Sequence, residues 1–185
     1  MPSTFALAAA AVRPLDRAAE ADAAALQARL TKPRGALGRV EDIGVRLAAI
    51  SGRCPPPVPR PAAVAVFAAD HGVVDEGVTA WPREVTAQMV ANFARGGAAI
   101  NVLARQAGAS VTVIDVGVAT ELPPGCKVVR RVVRAGGTAN LAREPAMAVA
   151  ECEAALDVGA GVAAELAAGG ARALVTGDMG IGNTT

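Results

Sequence analysis

Hydrophobic positions fall into two alternating patterns along this chain. Residues 62–69 read AAVAVFAA, an apolar run after a proline-rich segment. Its length and its valines and phenylalanine predict a strand buried on both faces. Residues 109–116, ASVTVIDV, are β-branched and predict a second strand, and residues 171–176, ARALVT, a third. Residues 127–133, KVVRRVV, predict a short strand, with charges that suit a sheet edge. Between them apolar residues recur at helical spacing. In residues 84–95, Val85, Met89 and Phe93 form one stripe, and Glu84, Gln88 and Asn92 another about 100° round. The first is expected to pack on the sheet and the second to border a cleft. Ile100, Leu103 and Ala107 predict one face of a helix over 98–107, and the alanine-rich stretch 145–166 a long helix with a soft point at Gly159-Ala160-Gly161.

Strand–helix alternation predicts an α/β fold: a parallel, Rossmann-like sheet flanked by helices, with right-handed crossovers. Strands near 63–69, 110–116 and 172–177 should be parallel neighbours. Two helices precede the first strand. One covers residues 15–30, with leucines at 15, 26 and 30; the other carries Val40, Ile43, Leu47 and Ile50 on one face. The turn at Thr31-Lys32-Pro33-Arg34-Gly35 separates them. These helices predict an N-terminal helical lobe packed against the sheet. Lys32 and Arg34 are either a solvated turn or structural residues of that lobe. The proline-rich connector follows, giving two domains: residues 1–60, and an α/β nucleotide-binding domain at 61–185.

Composition narrows the function. The 18 basic and 17 acidic residues nearly balance and form no basic stripe, which argues against nucleic acid as a partner. The three cysteines, Cys54, Cys126 and Cys152, form neither a zinc pattern nor a disulfide framework. A single histidine excludes a metal site built on histidines, and no motif supports a carboxylate site. No apolar run reaches the roughly 20 residues of a membrane span. The segment FALAAAAV at residues 5–12 lacks a preceding basic region and reads as a helical or frayed arm of a cytoplasmic protein.

Candidate chemistry gathers where strands end. Asp70-His71-Gly72 follows the first strand and Asp115-Val116-Gly117 closes the second. Ligands of open α/β sheets bind at strand C-termini. Asp70, His71 and Asp115 are therefore cleft candidates, and these two strand ends should share one sheet edge with residues 177–183. For His71 a structural role competes with a functional one, and for Asp115 a turn-forming role with a cleft role. Residues 136–140, GGTAN, read as a flexible polar loop. The third strand runs into GDMGIGNTT at residues 177–185. Glycines there let backbone N–H groups approach an anion, and Asn or Thr can cap a following helix. The alternative for that stretch is an ordinary tight turn.

Four ordered pieces carry a resemblance: TKPRGALGRVEDI at residues 31–43, ADHGVVDEGVTAWPREVTAQMV with RGGAAINVLARQAGA, GGTANLAREPAM at 136–147, and GDMGIGNTT. Together they resemble the nicotinate-nucleotide–dimethylbenzimidazole phosphoribosyltransferase family of cobalamin biosynthesis. The resemblance implies phosphoribosyl transfer from nicotinate mononucleotide to 5,6-dimethylbenzimidazole, giving α-ribazole 5′-phosphate and nicotinate. It implies no metal or organic cofactor, and a homodimer at full length. By motif position Trp81, Gln88 and Met89 line the base pocket. Asp178, Gly180, Gly182, Asn183 and Thr184 serve the nucleotide end, and residues 136–140 lie beside the substrate. Members often carry Glu where this chain has Asp178, whose reach is one methylene shorter. Members also continue well beyond this point, and their general-base glutamate lies in that further part. The expectation is thus an N-terminal portion with no catalytic base of its own, missing the C-terminal part of the family fold. The alternatives are a truncated chain that binds nucleotide or assembles without turnover, and a metal-dependent phosphohydrolase using Asp70, His71 and Asp115.

Overall fold

A computed structural model describes residues 2–184. The chain divides into two compact units, Ala9–Pro59 and Arg60–Thr185 with Met1–Ala8. Helix α1 (Thr4–Ala10) belongs largely to the second unit, where the Phe5 amide donates to Asp157 Oδ1 at 2.7 Å.

The first unit is a helix pair, α2 (Arg17–Arg29) and α3 (Arg39–Ser51). Asp16 caps α2 by accepting from the Ala19 amide at 2.9 Å. Lys32 Nζ donates to Glu41 Oε1 at 2.7 Å across the intervening turn, so Lys32 is structural, and Arg34 stays on the exposed turn. The Lys32 hydrogen bond holds the Glu41 carboxyl below its usual 4.5. The pair meets through small residues, Ala19, Ala23, Ala48 and Ala49. Of the stripe expected to be buried on α3, Val40, Ile43 and Ile50 remain exposed and Leu47 is half-buried. Alanines permit closer helix approach than branched side chains, and they win the contact.

The second unit holds four parallel strands, β1 (Ala62–Ala69), β2 (Ser110–Gly117), β3 (Val129–Arg130) and β4 (Ala173–Met179), in the order β3-β2-β1-β4. The three principal strands are parallel neighbours, as their sequence predicts. β3 is far shorter than the expected run 127–133 and does lie at the edge. β4 continues through Gly177-Asp178-Met179, which therefore belong to a strand and not to a loop.

Alternation along β1 explains its uninterrupted apolar run. Val64, Val66 and Ala68 face α4 (Glu84–Arg95) and α5 (Ala99–Ala107), together with Phe93, Ile100 and Ala104. Ala65 and Phe67 face α6 (Val149–Ala168), against Val158, Val162 and Leu166. Both faces are covered, the usual state of a parallel sheet. The α4 face on the sheet is Thr86, Ala87, Val90 and Ala91, not the Val85–Met89–Phe93 stripe; of that stripe only Phe93 packs in the core clusters. On α5 the buried pair is Asn101 and Ala104, while Leu103 is exposed. Helix α6 passes Gly159 and Gly161 without a break. Among the described residues, no helix is long and apolar enough to cross a membrane.

Candidate functional site

Register puts the ends of the three long strands level. Ala68 pairs with Asp115 on one side and Met179 on the other, and Ala69 pairs with Gly117. Asp70-His71, Asp115 and residues 177–183 therefore meet at one sheet edge. From β1 the chain steps first to β2 and β3, then back across to β4. Strand order thus reverses beside β1, between β1 and β4. At such a switch point the two flanking connections run over opposite faces and leave a crevice.

Two hollows open along this edge. The one over β1 and β4, about 350 Å³, is lined by Val78, Thr79, Trp81 and residues 180–184. It brings Trp81 opposite Gly180, Gly182, Asn183 and Thr184. Among the described residues, the Gly182 and Thr184 amides donate to no protein acceptor. The Ile181 amide donates to Thr86 Oγ1 at 3.1 Å, tying the turn to the buried face of α4. Asn183 Nδ2 donates to Asp178 Oδ2 and so orients that carboxylate, while Thr184 Oγ1 donates to Asn183 Oδ1 at 2.8 Å. Residues 181–184 form a turn, closed by the Asn183 amide on the Gly180 carbonyl at 3.1 Å. The helix expected to follow lies outside the described residues.

Gly180 is required by crowding. A Cβ there would run into the Ala69 carbonyl and sit 2.7 Å from His71 Nε2. The His71 imidazole thus occupies the space that a side chain at position 180 would take. It is half-buried, and burial holds it below its ordinary 6.5, with the charges of Asp70 and Asp178 pulling the other way.

Asp70 is fully buried. Its Oδ2 accepts from the Ala119 amide at 2.7 Å, and its Oδ1 has no partner among the described residues. Its carbonyl accepts from the Thr138 amide at 3.0 Å. Residues 136–140 are consequently pinned rather than flexible. Gly137, at φ +88°, packs on the Asp70 backbone, Gly72 donates to the Thr138 carbonyl at 3.0 Å, and Asn140 Nδ2 donates to Glu76 Oε1 at 2.6 Å.

The second hollow, about 530 Å³, lies over β2 and β3 and is lined by Asp115, Glu121, Cys126 and Arg130 among others. Asp115 Oδ1 accepts from the Gly117 and Val118 amides at 3.1 and 2.9 Å, and its Oδ2 lies 3.6 Å from Arg130 Nε. That is the turn-forming arrangement, and it also borders a cavity. Asp70, His71 and Asp115 do not converge as metal ligands, and no group of three suitable side chains does so among the described residues. Gln88 is exposed on α4 and Met89 half-buried there; neither lines the Trp81 hollow. Sequence reasoning missed Thr86. A hydroxyl one turn before Val90, on the buried face of a helix, needs a partner, and that signal was available.

Comparison with known proteins adds to this geometry. The profile of a phosphoribosyltransferase family matches residues 12–185. Nicotinate-nucleotide–dimethylbenzimidazole phosphoribosyltransferases of Salinispora tropica and Mycobacterium avium are each 53% identical over 95% of this chain, which covers 52% and 50% of their lengths. The crystal structure of the similarly named protein from Thermus thermophilus superposes with a TM-score of 0.86 at 53% identity. The match covers 92% of this chain and 51% of that one. The chain spans about half the length of the curated relatives it matches.

Proposed function

This chain belongs to the phosphoribosyltransferase family that includes the nicotinate-nucleotide–dimethylbenzimidazole enzymes, and on that premise we propose that it supplies the nucleotide end of such a transferase. The substrates are nicotinate mononucleotide and 5,6-dimethylbenzimidazole, and the products α-ribazole 5′-phosphate and nicotinate. The reading rests on one observation above all. Gly182 and Thr184, whose amides have no protein acceptor among the described residues, line one hollow with Trp81 at the switch point.

Chemistry asks little of these residues beyond placement. A benzimidazole nitrogen attacks the anomeric carbon, with inversion, as nicotinate departs. The leaving nitrogen is already cationic, so it leaves without acid help. The protein must hold the phosphate, fix the ribose and stack two flat rings about one sugar. In this reading the amides of the turn hold the phosphate. Asp178, oriented by Asn183, accepts from ribose hydroxyls. The indole of Trp81 gives a flat apolar wall. Gln88 and Met89, assigned to the base by motif position, lie on α4 outside this hollow. We assign no general base to this stretch. Loss of the benzimidazole proton calls for one, typically contributing about 10²–10⁴ in rate. The chain by itself accordingly binds nucleotide and turns over poorly. At full length we expect a cytoplasmic homodimer.

The test incubates the chain with both substrates and follows α-ribazole 5′-phosphate, alone and with the complementary half of a relative added in trans. Nucleotide binding alone, and product only with both halves, is the expected result. Failure of the chain to bind nicotinate mononucleotide under either condition overturns the proposal.

A further inference from the structure

The charged groups around His71 set up an arrangement that the turn's amides alone do not. Its ring packs beneath Gly180, with Nε2 2.7 Å from where a Cβ would be, and its own Cβ lies 3.7 Å from the corresponding point at Gly182. Among the described residues no hydrogen bond is made to the ring. Two carboxylates lie near enough for their charge to act on it, Asp70 next to it in the chain and Asp178 on β4. The loop at Thr138 and the turn itself bring backbone, and the tight helical turn Gly72–Glu76 that follows His71 brings Val73 and Val74, its Asp75 and Glu76 being paired with Arg83 and Arg143. Among the described residues, the imidazole is thus the one titratable cation-forming group packed against the turn of Gly180 and Gly182.

We propose that His71 is the positioning residue of this turn: its imidazole takes up a proton from solvent when a phosphorylated ligand fills the hollow, and holds the turn in its ligand-bound geometry. The inference rests on the nucleotide reading above and deepens it. In the free chain burial outweighs the two carboxylates and the ring stays neutral at neutral pH. A phosphate monoester adds a third source of negative charge across Gly180, where the missing side chain leaves the ring against the turn. That addition favours the imidazolium, so ligand and proton bind together and each strengthens the other.

The protein carries its own reporters, because it contains one histidine and one tryptophan. In tag-free, isotope-labelled chain, NMR follows the imidazole through a pH titration while fluorescence follows Trp81. Three samples are compared: free chain, chain with nicotinate mononucleotide, and chain with nicotinate riboside, which lacks the phosphate. The free midpoint should lie below 6.5. With the mononucleotide it should rise by about one unit, and with the riboside it should not move. The affinity ratio of wild type to His71→Gln, which keeps a donor at the ε position but cannot titrate, should rise as pH falls from about 8 through the free midpoint, towards a ceiling of roughly tenfold for a one-unit shift. The ratio cancels ionisation of the ligand's own phosphate. A Trp81 response with an unmoved imidazole midpoint overturns the role of His71 and leaves the nucleotide reading standing. No response from either reporter overturns both. If His71→Gln does not fold, the wild-type titration decides.

Discussion

Replacing Thr86 by valine removes one hydroxyl at a fully buried position and keeps the β-branched shape. That hydroxyl accepts from the Ile181 amide at 3.1 Å, across the packing of α4 on β4. In Thr86→Val the half-buried Ile181 N–H loses its acceptor. An orphaned buried donor costs about 1–3 kcal/mol. The loss falls on the glycine-rich turn, so it should appear there first. Amide exchange at Ile181 should accelerate by roughly 5- to 150-fold. The urea midpoint of the α/β unit should fall by about 0.5–1.5 M at a slope near 2 kcal/mol/M. Thr86→Ser keeps the acceptor and should hold the Ile181 exchange rate near wild type, despite losing a buried methyl. If Thr86→Val leaves Ile181 exchange unchanged, the bond does not anchor the turn and the reasoning is wrong.

Other substitutions probe the same frame. Gly180→Ala forces a methyl against the Ala69 carbonyl and the His71 ring, and should destabilise by about 1–3 kcal/mol in denaturant titration; Gly159→Ala, in open space within α6, should stabilise by about 0.5–1 kcal/mol. Glu41 titrates below 4.5 in the folded chain, so its bond to Lys32 stabilises the helical unit above that pH and is lost as pH falls through the folded value. The melting advantage of wild type over Glu41→Gln should therefore vanish in acid. Trp81→Ala should weaken nicotinate mononucleotide binding in calorimetry without lowering the thermal midpoint, because the indole is largely exposed.

The sheet was legible because β1 and β2 are covered on both faces, which leaves an uninterrupted apolar signal. Level strand ends followed from parallel pairing, and with them the meeting of Asp70, His71, Asp115 and Gly180. Helix faces were less legible. On α3, α4 and α5 the buried positions are mostly alanine, with Thr86, Val90 and Asn101, while larger residues such as Ile43 and Leu103 stay exposed. Hydrophobic size predicts burial only when contact distance is free to vary, and close packing on a sheet favours small side chains. The pinned loop at 136–140 was hidden because its order comes from Asp70, over sixty residues earlier. Motif position points to Gln88 and Met89, and their side chains lie outside the Trp81 hollow.

Mapping nicotinate mononucleotide onto the isotope-labelled chain by amide and indole chemical shifts tests the central claim most directly. The account predicts saturable shifts concentrated at the amides of residues 180–184 and the Trp81 indole. Saturable shifts centred instead on the hollow of Asp115, Glu121, Cys126 and Arg130, or on the helical unit Ala9–Pro59, would contradict it.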